Sequence, residues 1–510
     1  MIAHAFQPAC IGLNEQIRIH GRFRPDEIAL IEGSRQLSWH QYNESADRIA
    51  GVLLDLGVRC GDRVATVVNN SLWAHELLLA TWRAGAVLVP LSPLLSEDTL
   101  ATMLDDCDPR IVFASDAHLD PCRRAAGKRP TLGKAELDAR QGTAVPIPAI
   151  DHAPADPAVI IYSSGTTGVP KGIVHSHASR LAFAAYFAAE FGFNAHSVAV
   201  SCVPIHSNGA WLSWAATKWV GGTTIVLPRF DASDYLRIVE QFHPSHGFIA
   251  PTMAHALLAQ PEIEQVGLGC FKALITAGSP MPDAMKRDLQ RLTDHHLHEL
   301  WGLTEGVATI ISPQDMRSRS HSVGRPMLGC DIRIIDANGR DVTGQAVGEI
   351  VGRSAQMMSG YLNRPDANAR ILWHDEQGRP CIRTGDVGEF SKDGFLTLRG
   401  RLKDMIVSGG LNVYPVDIET VLLRHPAVID AVVAGVAHAK WGESPVAFVR
   451  VRKGEQPQPD ELIAWANERL SKHQRILGLH IVAGDFPRNS MGKPLKRELV
   501  ATHHGEAALP

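Results

Sequence analysis

Short apolar runs alternate with helical patterns along most of residues 1–400. An apolar run without polar interruptions is typical of a strand that is buried on both faces. Helix-like segments such as Gln41–Leu56 and Asp234–Phe242 lie between the runs. The alternation predicts an α/β fold with largely buried strands. The predicted strands are Val64–Val68, Ala86–Leu91, Arg110–Ala114, Ala158–Tyr162, Val198–Val203, Thr223–Leu227, Gly247–Ala250 and Ala273–Thr276.

The pattern changes character near Gly324, where turn residues separate strand-like runs. Cys330–Arg340 and Val347–Arg353 are predicted strands joined by a turn at Asn338-Gly339, a dipeptide typical of hairpins. Residues 324–400 are therefore predicted to form a small β-rich subdomain of the N-terminal domain.

Residues 404–510 have a third pattern, in the order strand, helix, strand, strand, helix, strand. The helices are predicted over Val416–Arg424 and Asp460–Leu470. A segment of about a hundred residues is long enough for a domain of its own. We therefore expect a large N-terminal domain of α/β subdomains over residues 1–400, a linker at 401–403 and an α+β C-terminal domain at 404–510.

Composition and charge narrow the class of protein. A length of 510 residues exceeds what one hydrophobic core usually supports. The formal net charge of −4 gives no reason to expect nucleic acid as a partner. The eight cysteines are scattered without a CxxC pair, which favours the reducing cytoplasm over a disulfide framework. We expect no signal peptide, because the N-terminus has no charged region followed by a long apolar run. We expect no integral membrane segment, because the most apolar stretches are too short or contain charged residues.

The densest motif is YSSGTTGVPKG at residues 162–172, directly after a predicted buried strand. Glycines let the backbone approach a polyanion with its N–H groups turned inward, and hydroxyls and a lysine add donors and charge. The alternatives are a flexible surface loop and a P-loop, but G-x-x-x-x-G-K-[ST] fails because Pro170 precedes Lys171 and Gly172 follows it. The motif predicts binding of a triphosphate or pyrophosphate. The candidate ligands are Ser163, Ser164, Gly165, Thr166, Thr167 and Lys171.

This motif resembles the phosphate loop of the adenylate-forming enzymes, which include acyl-CoA synthetases, aryl-CoA ligases, peptide-synthetase adenylation domains and luciferases. Further motifs of that family follow in the same order over nearly the whole chain. The resemblance implies an ATP-dependent, AMP-forming carboxylic acid–CoA ligase that works through an acyl-adenylate. It implies ATP and CoA as co-substrates, Mg²⁺ as cofactor, a mobile C-terminal domain and, as an assembly, a homodimer.

The sequence WGLTE at residues 301–305 resembles the family's aromatic-Gly-x-Thr-Glu motif. By that resemblance Trp301 stacks near adenine, Thr304 contacts the α-phosphate and Glu305 helps to hold Mg²⁺. A carboxylate is a hard oxygen ligand that suits Mg²⁺ shared with phosphates. Ala277, in a turn that resembles the lining of the adenine pocket, and Glu299 are further implied ATP contacts.

Two neighbouring motifs are implied to bind the ribose. RTGD at residues 383–386 resembles the family's motif, and Asp386 would accept hydrogen bonds from both ribose hydroxyls because an ionised carboxylate only accepts. A plain β-turn is the alternative. In GRLKD at residues 400–404, Arg401 would also reach the ribose, and Lys403 occupies the family's hinge position.

PRNSMGK at residues 487–493 resembles the family's C-terminal catalytic loop. Lys493 would bridge the substrate carboxylate and the α-phosphate. Attack of one anion on another needs a cation that offsets the repulsion and the developing charge. Taken without the resemblance, a lysine near a C-terminus reads as solvated surface. The resemblance assigns catalytic roles to Lys493, Thr304 and His206.

The acyl pocket is implied by motifs that lie beside the ATP motifs. His206 aligns with a gate residue, and the stretch Pro204–Trp214 lacks the aspartate that amino-acid-activating relatives use, which disfavours an α-amino acid. The candidate acyl-pocket residues are His206, Trp211, Ser279 and Val307. A medium- or long-chain fatty, aryl or alicyclic acid is therefore expected. His175 and His177, in a helix-like stretch after the phosphate loop, are interpreted as structural.

The acceptor of the acyl group depends on the segment that follows the predicted hinge. Gly409 and Gly410 are implied to contact the pantetheine arm of CoA, but Val407 and Gly409 stand where some CoA ligases have lysine. An enzyme that loads a carrier protein is therefore an alternative. A nucleotide-binding protein without turnover and a phosphohydrolase that releases ADP are the others.

Overall fold

The computed structural model describes residues 11–141, 150, 152–163, 170–488 and 494–503. The chain divides into two compact units. The first unit comprises Met1–Ser318, Pro326–Asp331 and Arg353–Leu372, and the second comprises Arg319–Arg325, Ile332–Gly352 and Trp373–Pro510. In the described ranges, no helix is both long and apolar enough to cross a membrane.

The strands are numbered in chain order. They are β1 (Ile28–Glu32), β2 (Arg35–Ser38), β3 (Arg63–Val67), β4 (Val87–Pro90), β5 (Ile111–Ala114), β6 (Thr131–Leu132), β7 (Pro157–Ser163), β8 (Lys171–Ser176), β9 (Val198–Ser201), β10 (Thr223–Val226), β11 (His246–Ile249), β12 (Ala273–Ala277), β13 (Leu297–Gly302), β14 (Ala308–Ile311), β15 (Arg325–Pro326), β16 (Cys330–Ile335), β17 (Gly348–Ser354), β18 (Gly360–Tyr361), β19 (Leu372–His374), β20 (Pro380–Phe390), β21 (Leu396–Arg401), β22 (Ile406–Ser408), β23 (Leu411–Val413), β24 (Val428–His438), β25 (Gly442–Val451) and β26 (Gly478–Ile481).

The α-helices are numbered in the same way. They are α1 (Leu13–Phe23), α2 (Trp39–Asp55), α3 (Leu72–Arg83), α4 (Glu97–Cys107), α5 (Leu119–Ala126), α6 (Lys134–Gln141), α7 (His177–Phe191), α8 (Asn208–Val220), α9 (Ala232–Phe242), α10 (Pro251–Leu258), α11 (Ile263–Val266), α12 (Asp283–Leu292), α13 (Pro313–Met316), α14 (Pro365–Ile371), α15 (Pro415–Leu422), α16 (Pro459–Asn467) and α17 (Lys496–His503).

Two sheets organise the first unit. One includes the strand order β14-β13-β12-β11-β9-β10-β1-β2, continued beyond β14 by the short β15, and is parallel from β13 to β1. The other has the order β18-β8-β7-β4-β3-β5-β6, with antiparallel pairing only where β18, β8 and β7 meet. Parallel strands need crossover connections, and the helices between successive strands provide them. Because a helix connects each pair of successive parallel strands, apolar runs and helical patterns alternate in the sequence.

Local capping fixes where helices α7 and α8 begin and end. The Ser176 hydroxyl accepts from the backbone N–H of Ser179 at 3.1 Å and starts α7, and the Ser207 hydroxyl accepts from the backbone N–H of Gly209 at 3.4 Å at the start of α8. Both helices end at a left-handed glycine, Gly192 with φ 70° and Gly221 with φ 85°. These signals are local, so the sequence determines the positions of both helices before tertiary packing acts.

The hydrophobic core of the first unit contains a cluster of tryptophans. Trp82, Trp211 and Trp214 are each no more than 1% exposed, and their ring centroids lie 5.4–6.0 Å apart. Rings at such separations add specific attraction to the hydrophobic effect. The cluster ties α3 to α8, so the N-terminal end of α8 has a fixed position in the first unit.

The second unit contains two smaller sheets. The first has the order β16-β17-β20-β19 with β21 beside β20, and the second has the order β23-β22-β25-β24 with β26 beside β25. Helices α15 and α16 cover the second sheet, with Ile418, Leu422 and Leu462 fully buried. This α+β arrangement, together with the α/β first unit, confirms the predicted fold class.

The structure corrects two details of the sequence interpretation. The strand predicted over Cys330–Arg340 ends at Ile335, because the Asp336 carboxylate accepts the backbone N–H groups of Asn338 and Arg340 and closes a turn. His175 lies on β8 and not in a helix, since α7 begins only at His177. The domain boundaries at residues 400 and 403 remain predictions.

Candidate active site

The phosphate-loop motif lies between two paired strands of the first unit. Ser163 ends β7, Lys171 begins β8, and the two residues face each other in the antiparallel register. Ser164, Gly165, Thr166 and Thr167 lie outside the described residues. Both ends of the motif are therefore anchored in a sheet, which fixes the position of the Lys171 backbone.

Tyr361 connects the phosphate-loop lysine to the predicted magnesium ligand. Its phenol donates a hydrogen bond to Oε1 of Glu305 at 2.8 Å, and Lys171 Nζ lies 5.0 Å from the centroid of its ring. The other carboxylate oxygen of Glu305 has no hydrogen-bond partner among the described residues. The Lys171 ammonium and the Glu305 carboxylate therefore both lie next to the Tyr361 side chain, and only one oxygen of that carboxylate accepts its hydrogen bond.

The turn that carries Glu305 is held by backbone contacts. The Leu303 N–H donates to the Val307 carbonyl at 3.0 Å, and the Met358 N–H donates to the Glu305 carbonyl at 2.9 Å. Gly306 has φ 108°, and a Cβ atom there would lie 2.4 Å from the Gln356 carbonyl oxygen. Only glycine fits this close approach. The backbone after Glu305 is therefore held in one conformation, against residues 356–357.

The predicted adenine contacts lie at the carboxyl ends of two adjacent parallel strands. Ala277 at the end of β12 pairs with Leu300 on β13, and Trp301 follows directly. Ligands of open α/β sheets bind outside such strand ends. Glu299 is buried and forms an ion pair with Lys286 of α12, whose Nζ lies 2.5 Å from Oε2. Burial raises the pKa of the Glu299 carboxyl, and the ammonium opposes this effect.

The predicted acyl-pocket residues differ in their exposure. His206 precedes α8, and burial lowers its pKa to about 4, so the imidazole is neutral near pH 7. Trp211 is 1% exposed, and its indole N–H donates to the Ile205 carbonyl at 3.1 Å. Val307 is fully buried, whereas Ser279 is half-buried in the turn after β12.

The second unit contains both predicted ribose contacts. Arg401 Nε and Asp386 Oδ1 lie 2.6 Å apart, with Asp386 buried and Arg401 half-buried. The Thr384 hydroxyl accepts the Asp386 backbone N–H at 3.0 Å and donates to the Ile350 carbonyl at 2.7 Å. These contacts orient a carboxylate whose acceptor oxygens suit a diol.

The remaining predicted residues lie further along the second unit. Lys403 is exposed, and partial desolvation, with Arg401, Arg497 and Lys496 nearby, lowers its pKa. Gly409 and Gly410 form the turn between β22 and β23 with φ 59° and 81°. Lys493 lies outside the described residues.

Sequence reasoning missed Tyr361, Lys286 and the buried Arg180. Tyr361 lies on a two-residue strand far from the phosphate loop along the chain, and no local pattern indicates its contact with Glu305. The single lysine of the amphipathic helix α12 reads as surface, yet Lys286 is 7% exposed. Arg180 interrupts the apolar face of α7, and a charge at a core position was the available signal.

Comparisons with known proteins agree with these features. A family model described as "AMP-binding enzyme" matches residues 18–362, and one described as "AMP-binding enzyme C-terminal domain" matches residues 417–493. The fatty acid–[acyl-carrier-protein] ligase ScoC of Streptomyces coeruleorubidus is 30% identical, over 96% of each chain. A long-chain-fatty-acid–CoA ligase of Mycobacterium tuberculosis is 30% identical, over 91% of this chain and 92% of the relative.

A solved structure resembles the protein over nearly its whole length. The crystal structure of ATP-bound MatB from Rhodopseudomonas palustris has a TM-score of 0.88 at 27% identity, and the match covers 96% of this chain and 98% of that chain. The family model alone spans well over half of the sequence. The chain therefore belongs to the AMP-binding enzymes, which confirms its assignment to the adenylate-forming superfamily and to the acid–thiol ligases within it.

Proposed function

We propose that the protein activates a carboxylic acid with ATP as an acyl-adenylate and transfers the acyl group to CoA. The acid is expected to be a medium- or long-chain fatty, aryl or alicyclic acid. Relatives that are named as fatty-acid ligases for CoA and for an acyl carrier protein support this reaction class.

The observation that carries the proposal is the cluster around Tyr361. Lys171 and Glu305 come from separate motifs, yet both contact this one side chain. A lysine point charge beside a hard carboxylate is the combination that a metal-bound polyphosphate requires. The alternatives predicted from the loop alone, a surface loop or a P-loop, do not explain why a carboxylate stands beside the lysine.

In the proposed first step, a carboxylate oxygen of the acid attacks the α-phosphorus of ATP and pyrophosphate leaves. The phosphate-loop residues Ser163, Ser164, Gly165, Thr166, Thr167 and Lys171 hold the leaving group. Thr304 contacts the α-phosphate, and Lys493 offsets the charge that develops when two anions meet. His206 stands at the acyl pocket, and Asp386 and Arg401 orient the ribose.

Glu305 fits a Mg²⁺ ion by the chemistry of the carboxylate oxygen that has no partner among the described residues, and the ion would neutralise charge on the phosphates. Tyr361 occupies the other oxygen and so limits the rotation of the carboxylate. In the proposed second step, the C-terminal domain turns about Lys403, Lys493 leaves, and the thiol of CoA attacks the mixed anhydride. The products are the acyl-CoA and AMP.

A carrier protein is the second candidate acceptor, and a surface feature favours it. Val407, Leu411 and Trp441 are large apolar side chains that are 44%, 54% and 44% exposed beside the predicted pantetheine turn. The Gly409 N–H donates to the Trp441 carbonyl at 2.9 Å, which places the tryptophan next to that turn. An exposed apolar patch is better suited to contact with the surface of a partner protein than to contact with the charged phosphates of CoA.

The test is mass spectrometry after incubation with Mg-ATP, CoA and a pooled panel of aliphatic, aromatic and alicyclic acids. One acyl-CoA with an equal amount of AMP is the expected result. Adenylate or AMP without acyl-CoA would favour the carrier protein as acceptor. ADP in place of AMP would refute the adenylation chemistry.

Lys493 provides a test of the two-step scheme. Lys493→Ala should nearly abolish acid-dependent pyrophosphate release while sparing thioester formation from a supplied adenylate, because the lysine acts only in the first step. Lys453→Ala, at an exposed position of the same domain, is the matched control. Equal loss in both half-reactions would contradict the role of Lys493.

The cellular location and the assembly are further parts of the proposal. We infer a cytoplasmic enzyme, with the reduced cysteines as support, since all seven described cysteines are free. We infer a homodimer from the family, and the molar mass in solution from light scattering tests it. A mass near that of the 55.4 kDa monomer would refute the dimer.

A further inference from the structure

A buried arginine without a carboxylate partner lies beside the predicted acyl pocket. Arg180 on α7 is 1% exposed, and burial lowers its pKa only to about 9, so the guanidinium is charged near pH 7. It forms no ion pair with any residue in the part of the chain that the structure describes. A buried charge is normally paired because desolvation is costly, so this cation calls for another explanation.

The contacts of Arg180 satisfy only part of its donor capacity. Nη1 donates to Oδ1 of Asn208 at 3.0 Å, and Nη2 donates to Nδ1 of His175 at 3.0 Å. The guanidinium lies 4.7 Å from the ring of Phe183 and 5.4 Å from that of Trp211. Its Nε is buried and has no hydrogen-bond partner among the described residues.

Because arginine has donors and no acceptor, it fixes the orientation of both polar partners. The carbonyl oxygen of Asn208 must face Arg180, so the amide Nδ2 group points away from it as a donor. Nδ2 makes no hydrogen bond to any described residue. In the same way Nδ1 of His175 must accept, which leaves the proton of the neutral ring on Nε2.

This oriented pair stands at the predicted substrate site. Asn208 is the first residue of α8 and follows the gate residue His206 by two positions. Trp211, another predicted pocket residue, lies against Arg180 from the same helix. The backbone of Thr304, the predicted α-phosphate contact, raises the pKa of His175, although burial and the Arg180 charge dominate and lower it.

We propose that Asn208, oriented and polarised by Arg180, is a specificity-determining residue that binds a hydrogen-bond-accepting oxygen on the acyl part of the acid. The proposal rests on the proposed function and narrows its substrate class to oxygenated acids, with a second carboxylate as the best match to the buried cation. A plain hydrocarbon chain would leave the Nδ2 donors unpaired in a desolvated pocket. An ammonium group would be repelled by Arg180.

The positive charge of Arg180 should distinguish two kinds of acceptor oxygen on the acid, an ionised carboxylate oxygen and a neutral one. An ionised carboxylate gains from both the amide donor and the guanidinium charge behind it, whereas a neutral ketone or ether oxygen gains from the amide alone. Three acids of equal length that end in a methyl group, a methyl ketone and a carboxylate therefore provide a graded test. The expected order of kcat/KM is carboxylate, then ketone, then methyl.

Substitutions at Asn208 test the proposal without emptying the core. Asn208→Asp is nearly isosteric, pairs with Arg180 and removes the donor, so it should fold at least as stably and reverse the preference for the carboxylate. Asn208→Leu removes the donor without adding charge. We expect both variants to lower the carboxylate-to-methyl ratio of kcat/KM by about 10²-fold or more, as sites built around a hydrogen bond do.

Arg180→Met separates a substrate role from a purely structural one. If Arg180 acts through Asn208, the variant should reduce the advantage of carboxylate over ketone and leave the ketone-to-methyl ratio less affected. Thermal unfolding of each variant shows whether it is folded. A ratio that stays unchanged in folded Asn208→Asp and Asn208→Leu would overturn the proposal.

Calorimetric titration of the three acids distinguishes failure of the inference from failure of the proposed function. Binding of oxygenated acids without pyrophosphate release would refute the adenylation proposal and leave the specificity inference standing. Pyrophosphate release with a preference for the hydrocarbon acid would support the adenylation proposal and refute the specificity inference. If none of the acids binds, the inference is refuted as well.

Discussion

Replacing Tyr361 with phenylalanine removes one hydroxyl from the cluster that carries the proposed function. The ring and its contact with Lys171 remain, because Nζ lies over the ring face at 5.0 Å. What is lost is the 2.8 Å hydrogen bond to Oε1 of Glu305. The variant therefore tests the contribution of the Tyr361 hydroxyl, which donates a charge-assisted hydrogen bond to Glu305, to the position of the proposed magnesium ligand.

The magnitude follows from the nature of that hydrogen bond. A hydrogen bond to a charged group contributes about 1.5–3 kcal/mol, and the half-buried position of both side chains favours the lower part of that range, about 1.5–2 kcal/mol. At about 1.4 kcal/mol per factor of ten, kcat/KM for Mg-ATP should fall about 10–30-fold. Tyr361→Leu also removes the cation–π contact, worth about 0.5–1 kcal/mol, and should fall a further 2- to 5-fold.

Acid-dependent exchange between ATP and pyrophosphate, measured over a range of Mg²⁺ concentrations, is the assay. Calorimetric binding of magnesium pyrophosphate gives a second value that does not depend on turnover. Tyr42→Phe is the matched control, since its phenol donates at 3.0 Å to the His75 carbonyl in the core, away from the cluster. Equal kinetics for Tyr361→Phe and the wild type would refute the positioning of Glu305.

Three other predictions follow from single contacts. Gly306→Ala should lower the free energy of unfolding by about 2–3 kcal/mol, because its φ is 108° and the new Cβ would lie 2.4 Å from a backbone oxygen; an unchanged denaturant midpoint would contradict the required glycine. Lys286→Met should cost about 3–5 kcal/mol at pH 7 by leaving Glu299 unpaired. Burial already raises the folded-state pKa of this carboxyl above 4.5, and the Lys286 ammonium opposes that effect, so the variant should raise the pKa further. The loss should therefore shrink as pH falls from the pKa of the variant to that of the wild type, because the protonated carboxyl needs no cation; a loss that does not depend on pH would exclude the carboxylate as its cause. Asp417→Ala removes the 3.3 Å ion pair between Asp417 on α15, after the predicted hinge, and Arg399 on β21, before it. Proteolysis at the hinge should become faster by up to about fivefold, because such a contact contributes at most about 1 kcal/mol. No change in cleavage rate would mean that the ion pair does not restrain the linker.

The strands of the first unit could be predicted from the sequence to within about two residues because their burial leaves a continuous apolar run. Thr223–Leu227 was predicted and β10 is Thr223–Val226, and helix Asp234–Phe242 was predicted where α9 is Ala232–Phe242. The remaining differences are at element ends, where side-chain caps decide the boundary. The Asp231 carboxylate, for example, accepts the Asp234 N–H at 2.9 Å and starts α9 earlier than the hydrophobic pattern indicates.

The candidate site was predictable where one short motif carries the chemistry and was missed where two distant segments share it. Lys171 and Glu305 each belong to a dense local motif. Arg180 and Asn208 do not, since a charge on α7 and an amide at the start of α8 gain their meaning only when packing brings them within 3.0 Å of each other. Long-range pairing of this kind leaves no periodicity in the chain.

The register of one sheet accounts for the central contact of the site. In the antiparallel pairing of β18 with β8, Tyr361 lies opposite Ile173. Lys171 is two residues from Ile173 and therefore lies on the same face, as the diagonal neighbour that an aromatic ring can reach. A shift of this pairing by one residue would turn the ring to the other face of the sheet and away from both Lys171 and Glu305. The geometry of the proposed polyphosphate site thus depends on the backbone pairing of β18, the edge strand, with β8. Lys171 itself lies on β8, which is paired with β18 on one side and with β7 on the other.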